Sequence, residues 1–535
     1  MRRYYALLAC AVLLAPAFLY PNVFGNQPDA LADESYFLTS ALQSIRKHTL
    51  PGWEFSASGA YYGGVQAYID TVVLAPVVAG EMVLTRSLGK AELWTALNTG
   101  TLLYILRVVN GFLFLSALAG VAYYLMRRRA PRPLMRQVGF LGLLMLGNSL
   151  AVMLAHTAKV WVLYMVIELI AGILVLAQEQ YRAQDEEFVR TSRYVGALLW
   201  LAVLAFFQTF VGVISTGLWL LWAWWLGHFA LTDVWQYVRR WWYLFILTAA
   251  TQVSFMWRAF FAREHGSSLL DYGGFTGEHS VILWPHRFLA PLHDAVLAQP
   301  FILLYPLCAA LLFLPSYRRL LGRSKRYLAV ALLHPIVIYL FFYPLLGFDT
   351  ATRYGVILAL ACSFSAVMLL PLRGSFYNAA ALGAGALALA VLLHATALYW
   401  QPSYQAQLVA SLRARYNEPT NVFIVDKSAI GLQLPVNTAS LEQLDSTGAS
   451  MSRNAYLLAH LSAVGAQSSF TPLVLYARSD AEYQAYLAAQ LKLYKNVFHI
   501  YFQPGAVNTA EPSTLPEFFA AARVGSPYVV ERAVP

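Results

Sequence analysis

The chain has 535 residues, 59% of them hydrophobic and 12% charged, with a mean hydropathy of +0.54 and a formal net charge of +10. A soluble protein of this length carries about 25% charged residues, so half the expected charge is missing, and the remainder is clustered between apolar stretches long enough to cross a bilayer core of about 30 Å. An ordinary water-soluble protein is excluded, and because the basic residues fall in short clusters between those stretches, the positive charge is no nucleic-acid signal.

Eleven spans are predicted in chain order, near 4–24, 101–125, 137–155, 160–178, 194–211, 214–231, 241–260, 297–315, 327–346, 354–370 and 376–399. The first follows Met1-Arg2-Arg3 and imitates a secretory signal. Pro21, Asn22 and the bulky Phe24 stand where a small-residue cleavage site would be, so it reads as an uncleaved span. One set of connections is short and basic: Arg127-Arg128-Arg129 with Arg132 and Arg136; Arg182, Arg190 and Arg193; Arg239-Arg240; Arg318 to Arg326; and Arg373. These are assigned to the cytoplasm with Arg2 and Arg3. The alternate set (25–100, 156–159, 261–296 and 347–353) is assigned outside, which puts the C-terminus outside as well. Cys10, Cys308 and Cys362 all fall in apolar spans and form neither a metal-ligand spacing nor a disulfide framework.

Residues 1–400 are therefore expected to form a polytopic α-helical membrane domain, with a first outer loop at 25–100 that contains surface helices. The polar remainder, 401–535, alternates strand-like runs (Asn421 to Val425, Leu473 to Tyr476, Val497 to Phe502, Tyr528 to Glu531) with helical segments such as Ala481 to Tyr494. That alternation predicts a C-terminal extracytoplasmic α/β domain.

Four outer segments hold the candidate chemistry. In the first, Asp33-Glu34 precedes the apolar face Tyr36, Phe37, Leu38, Ala41, Leu42 and Ile45. Taken alone, the two acids fit a helix N-terminus, where carboxylates meet the helix dipole. The same loop continues through Tyr61-Tyr62-Gly63-Gly64, which suits a sugar or headgroup pocket and equally an interfacial aromatic belt. In the second, His156 to Trp161, the cation Lys159 either snorkels to a headgroup or balances a bound phosphate. The third, 258–296, holds Arg258, Arg287 and several histidines and acids without a tight ligand spacing. A loop covering the substrate is the preferred reading there, with a divalent metal as the alternative. In the fourth, Arg353 and Tyr354 open a late span, and a guanidinium offers a fork that matches two phosphate oxygens.

Taken together, the order and sidedness of these segments resemble the GT-C superfamily of membrane glycosyltransferases, in particular the protein O-mannosyltransferases and the lipid A aminoarabinose transferases. The residues that match are Asp33-Glu34 after the first span, Tyr61 to Gly64, Arg107, His156 to Trp161 and Arg353-Tyr354, over roughly the first 400 residues. The segment after Tyr62 lacks the double proline of close relatives, and 156–159 carries His and Lys where many members have a second acid. The resemblance implies an inverting transferase of a bacterial inner membrane that takes sugar from a polyprenyl-phosphate donor to an extracytoplasmic glycan, lipid or protein. It implies Asp33 as the base with Glu34 beside it, Lys159 and Arg353 on the donor phosphate with Arg258 or Arg287 assisting, and Tyr61, Tyr62, His156 and Tyr354 against substrate. Membrane lipids are expected partners and nucleic acid is not. The rivals are a lipid-linked glycan polymerase or ligase and a transporter or flippase. The latter would show internal repeats and charges at mid-membrane depth; the notable ionisable groups instead sit at the outer ends of spans. Glu168 departs from that pattern. Within a span it costs about 2.5–3.5 kcal/mol unless paired, and the sequence offers it no partner.

Overall fold

A computed structural model describes residues 10, 12–18, 37–38, 40–42, 44–45, 48–51, 64–88, 91, 94–95, 99–184, 188–261, 292–293, 295–297, 299–321, 324–345, 354–371, 374–400, 404–429, 471–477, 479–503, 515–520 and 528–533. After a helical stretch at 12–18 and another within 37–45, the helices of the apolar part are α1 (Val65–Thr85), α2 (Thr99–Arg127), α3 (Arg132–Leu146), α4 (Ser149–Ala155), α5 (Trp161–Arg182), α6 (Thr191–Gln208) and α7 (Phe210–Trp225). They continue as α8 (Leu231–Phe261), α9 (Leu304–Leu311), α10 (Pro315–Leu321), α11 (Lys325–Leu340), α12 (Gly355–Leu369) and α13 (Ser375–Tyr399). Among the described residues, six helices are long and apolar enough to cross a membrane, or seven if α3 and α4 count as one bent span. This is an integral membrane protein, and large apolar side chains such as Leu382, Leu389 and Leu393 of α13, one of those six helices, lie exposed where lipid replaces water.

The helices differ from the predicted spans in instructive ways. The span expected at 137–155 is broken: α3 and α4 meet at 76°. Asn148 causes the break by capping a new helix, its side chain accepting the Ala151 N–H at 2.8 Å. Gly147 fits the corner because a Cβ there would lie 3.2 Å from the Leu143 carbonyl and 3.4 Å from the Ala388 nitrogen. Where spans are predicted at 297–315 and 354–370, the apolar helices Pro300–Leu311 and Gly355–Leu369 are shorter than a straight crossing. Within the segment assigned to the first outer loop, α1 is itself long and apolar enough to cross a membrane.

Close helix contacts explain two glycines. A Cβ on Gly172 of α5 would fall 2.4 Å from the Phe364 ring of α12, and one on Gly196 of α6 would fall 2.5 Å from Tyr237 of α8. Basic residues gather at one end of the bundle, and Arg182 there donates through Nη1 to the carbonyls of Leu226 (3.2 Å) and Gly227 (2.8 Å). Those are the unpaired carbonyls at the end of α7, where a cation is favoured.

The other end carries the C-terminal α/β elements: α14 (Tyr404–Tyr416), β1 (Asn421–Val425), β2 (Leu473–Tyr476), α15 (Asp480–Leu493), β3 (Asn496–Phe502), α16 (Leu515–Ala520) and β4 (Tyr528–Arg532). The sheet order is β2-β1-β3-β4, with β1 parallel to β2 and β3, and β4 antiparallel to β3. One sheet face packs under α15, with Val422, Ile424, Leu475 and Val497 against Leu487 and Leu491. The other face (Phe423, Val425, Val474, Phe498, Ile500) belongs to an apolar cluster that also contains Leu408 and Leu412 of α14, Leu74 of α1, Leu102, Leu103 and Leu106 of α2, Leu38, Leu42 and Ala158. The sheet thus rests on the bundle through α1, α14 and the 37–45 segment. Ser479 caps α15 by accepting the Glu482 N–H at 3.2 Å, with acids in its first turn and Lys492 in its last.

Candidate functional site

Beneath that layer, the turn 156–160 between α4 and α5 is wholly buried. Lys159 is 2% exposed and His156 1%. Lys159 therefore does not snorkel to the surface. A cation closed off from water is held there by counter-charges or hydrogen-bond acceptors, and Arg107 of α2, one turn from Asn110, is equally buried.

Side chains from α2 and α6 brace the backbone of the turn from outside it. Asn110 of α2 donates through Nδ2 to the carbonyls of Thr157 (2.8 Å) and Lys159 (3.4 Å). Gln208, at the end of α6, donates to the Val160 carbonyl at 2.9 Å. The Thr157 hydroxyl donates to Leu154 O at 2.8 Å. His156 places Nδ1 2.6 Å from Val152 O and Nε2 2.5 Å from Ala17 O, and its ring stacks on Phe18. Burial pushes its pKa down to about 4, with Arg107 adding to the shift and the two carbonyls opposing it. Burial favours the neutral ring at pH 7, whose single N–H serves one of the two carbonyls, whereas the charged ring would serve both.

The other outer segments converge on this end. Tyr354 meets Trp161 edge-on, with ring centroids 5.3 Å apart. The hydroxyl of Tyr343 donates to the Tyr354 carbonyl at 2.8 Å and accepts the Leu358 N–H at 3.2 Å, which fixes the start of α12. The residue after Arg353 is thereby held against the turn that carries Lys159. Gly64 donates its N–H to Gln252 Oε1 at 2.8 Å, and the Tyr68 hydroxyl donates to Thr251 O at 2.5 Å. This ties the segment after Tyr61 and Tyr62 to α8, six residues before Arg258. Phe37 is buried in the main core and Leu38, Ala41 and Leu42 share the cluster of Ala158. Asp33, Glu34, Tyr61, Tyr62, Arg287 and Arg353 themselves lie outside the described residues, as do most of the loop 258–296 and the side chain of Arg258.

Asp70 of α1 is 1% exposed and accepts from Gln66 Nε2 at 2.8 Å. Sequence reading passed over it, although Gln66, Asp70 and Leu74 recur every four residues on the buried face of α1. Glu168 of α5, without an assigned partner in the sequence, accepts from Trp219 Nε1 at 2.5 Å and from the Thr216 hydroxyl at 3.3 Å. The Trp219 ring lies 4.4 Å from that of His334, whose Nδ1 accepts from Trp222 at 3.1 Å. These groups pin α5, α7 and α11 together inside the bundle, away from the turn.

The fold and site together define an integral membrane protein with a buried cationic turn roofed by an α/β domain. No protein-family model matches the chain, and neither does any curated protein sequence. Among solved structures, ArnT from Cupriavidus metallidurans bound to undecaprenyl phosphate is similar, with 11% sequence identity, a TM-score of 0.44, and coverage of 95% of this chain and 94% of that one.

Proposed function

We propose that the protein is a GT-C type glycosyltransferase that moves a sugar from a polyprenyl-phosphate donor to an extracytoplasmic acceptor, with the basic end of the bundle in the cytoplasm. The observation that carries this reading is the burial of Lys159 and Arg107 at the end of the bundle where Trp161, Tyr354 and the 37–45 segment meet. One buried cation on a turn braced by Asn110 and Gln208, and a second on α2, give this end a positive charge that suits a phosphate, and the apolar helices beside them suit a lipid tail.

In the transfer, the acceptor hydroxyl attacks the anomeric carbon, the bond to the lipid phosphate breaks, and one displacement inverts the centre. Charge develops on the departing phosphate. Lys159 and Arg353, with Arg107 beside them and Arg258 or Arg287 assisting, stabilise that charge more in the transition state than in the ground state. The acceptor proton passes to Asp33, with Glu34 beside it; general-base help of this kind contributes about 10²–10⁴ in rate. Tyr61, Tyr62, His156 and Tyr354 shape the substrate side. The transporter reading loses support because Glu168, the carboxyl that the sequence left without a partner inside a span, is bonded by Trp219 and Thr216.

Transfer from a radiolabelled polyprenyl-phosphate sugar to membrane acceptors tests the assignment. Asp33→Asn should abolish transfer while expression and insertion persist. Loss of transfer in Asp70→Asn with normal rates in Asp33→Asn would move the base to Asp70.

A further inference from the structure

The C-terminal sheet carries a second cluster of polar and aromatic side chains, on the face turned away from the bundle. Its position follows from topology. The chain leaves β1 for β2 on one side and returns through α15 to β3 on the other. In open α/β sheets such a divergence leaves a crevice outside the carboxyl ends of the strands, where ligands bind.

The sequence sets Asp426 directly after β1 at that edge. Its N–H donates to Ile500 O at 2.8 Å and its Oδ1 accepts the Ser428 N–H at 2.8 Å, so the carboxylate is aimed rather than free to rotate. His499 of β3 stands in register with Ile424 of β1, on the face covered by α15. Its ring centroid lies 4.2 Å from that of Tyr483, in the first turn of α15, and 4.9 Å from that of Tyr501. The Tyr501 hydroxyl donates to Glu531 Oε1 at 2.9 Å. His499 Nε2 is buried and, among the described residues, makes no direct hydrogen bond; its ion-pair partner Asp426 Oδ2 lies 3.7 Å away. That separation is longer than a direct hydrogen bond and is a charge contact between the two groups.

An apolar ring face beside oriented carboxyl and imidazole groups matches a ligand with an apolar face and hydroxyls at its rim. Asp426 and Glu531, with Asp480 and Glu482 in the first turn of α15, repel phosphates and other anions. We propose that the crevice at the carboxyl ends of β1 and β3, rimmed by Asp426, Tyr483, Tyr501 and Glu531, binds an uncharged saccharide, the sugar stacking on the tyrosines and its hydroxyls meeting the Asp426 and Glu531 carboxylates. This site stands whether or not the turn at 156–160 takes a lipid phosphate.

Saturation-transfer NMR on the full-length protein in detergent tests it, with mannotriose, maltotriose, cellotriose and chitotriose as probes at millimolar concentration. At least one probe should receive saturation at its ring protons. That signal should fall threefold or more in Tyr501→Ala or Asp426→Asn, two positions on the rim of the domain, and persist in Lys159→Met. No signal from any probe, or a smaller fall in both variants, overturns the proposal; loss of lipid-phosphate binding in Lys159→Met with the saccharide signal intact keeps the two sites distinct.

Discussion

Replacing Asn110 by leucine removes one side chain from the brace of the buried turn while nearly preserving its volume. Asn110 is 1% exposed and donates to Thr157 O at 2.8 Å and to Lys159 O at 3.4 Å. Leucine leaves the first carbonyl without that donor in a site closed to water, which costs about 1–3 kcal/mol; the longer contact contributes little. At about 2–4 °C per kcal/mol for a large domain, the melting temperature should fall by roughly 2–12 °C. Thermal unfolding of the purified protein in detergent, followed by intrinsic fluorescence, measures it. Asn110→Asp should be worse than Asn110→Leu, because a carboxylate would face two carbonyl oxygens. The same slackening of the turn should weaken lipid-phosphate binding about tenfold, equivalent to about 1.4 kcal/mol. An Asn110→Leu variant as stable as the parent, or Asn110→Asp the more stable of the two, would refute the brace.

Three further outcomes follow from other contacts. In a double-mutant cycle of Trp219→Phe with Glu168→Leu, unfolding in mixed micelles should give a coupling of about 1–3 kcal/mol, the worth of a buried hydrogen bond to a carboxyl group; additive effects would mean that the Trp219–Glu168 bond contributes nothing. Gly172→Ala should destabilise by about 1–3 kcal/mol through the overlap with Phe364, and Phe364→Leu in the same chain should recover part of the loss; a neutral Gly172→Ala would contradict the close α5–α12 approach. His156 has a folded pKa of about 4, below its ordinary 6.5. As pH falls from 6.5 to about 4 the unfolded chain takes up a proton that the folded ring refuses, and stability drops by on the order of 3 kcal/mol. His156→Gln should flatten that part of the stability–pH curve, and an unchanged slope would count against the buried neutral ring.

Much of the architecture was legible in the sequence because a bilayer leaves few options for an apolar chain. The predicted spans at 101–125, 160–178 and 376–399 correspond to α2, α5 and α13. All four predicted strands of the C-terminal part form within a residue or two of their expected limits. What the sequence concealed is geometry created by single residues. The corner at Gly147-Asn148 depends on a side-chain cap that leaves the surrounding hydropathy unchanged. Glu168 looked isolated because Trp219 and Thr216 lie about fifty residues away in the chain. In the candidate site, Lys159 could be singled out as a charge in a very short turn, whereas its burial and its support by Asn110 and Gln208 are tertiary facts. Asp70 was hidden for a related reason: one of two acids in a 21-residue apolar helix, it reads as part of a surface face until the packing of α1 shows otherwise.

The most direct test of the central proposal is native mass spectrometry of the detergent-solubilised protein with decaprenyl phosphate and, in parallel, the uncharged decaprenol. One lipid phosphate per chain should be retained, the alcohol should be lost at lower collision energy, and Lys159→Met should weaken retention of the phosphate tenfold or more while leaving the alcohol unchanged. Equal retention of phosphate and alcohol, or full retention of the phosphate by Lys159→Met, would contradict a phosphate site at the buried turn.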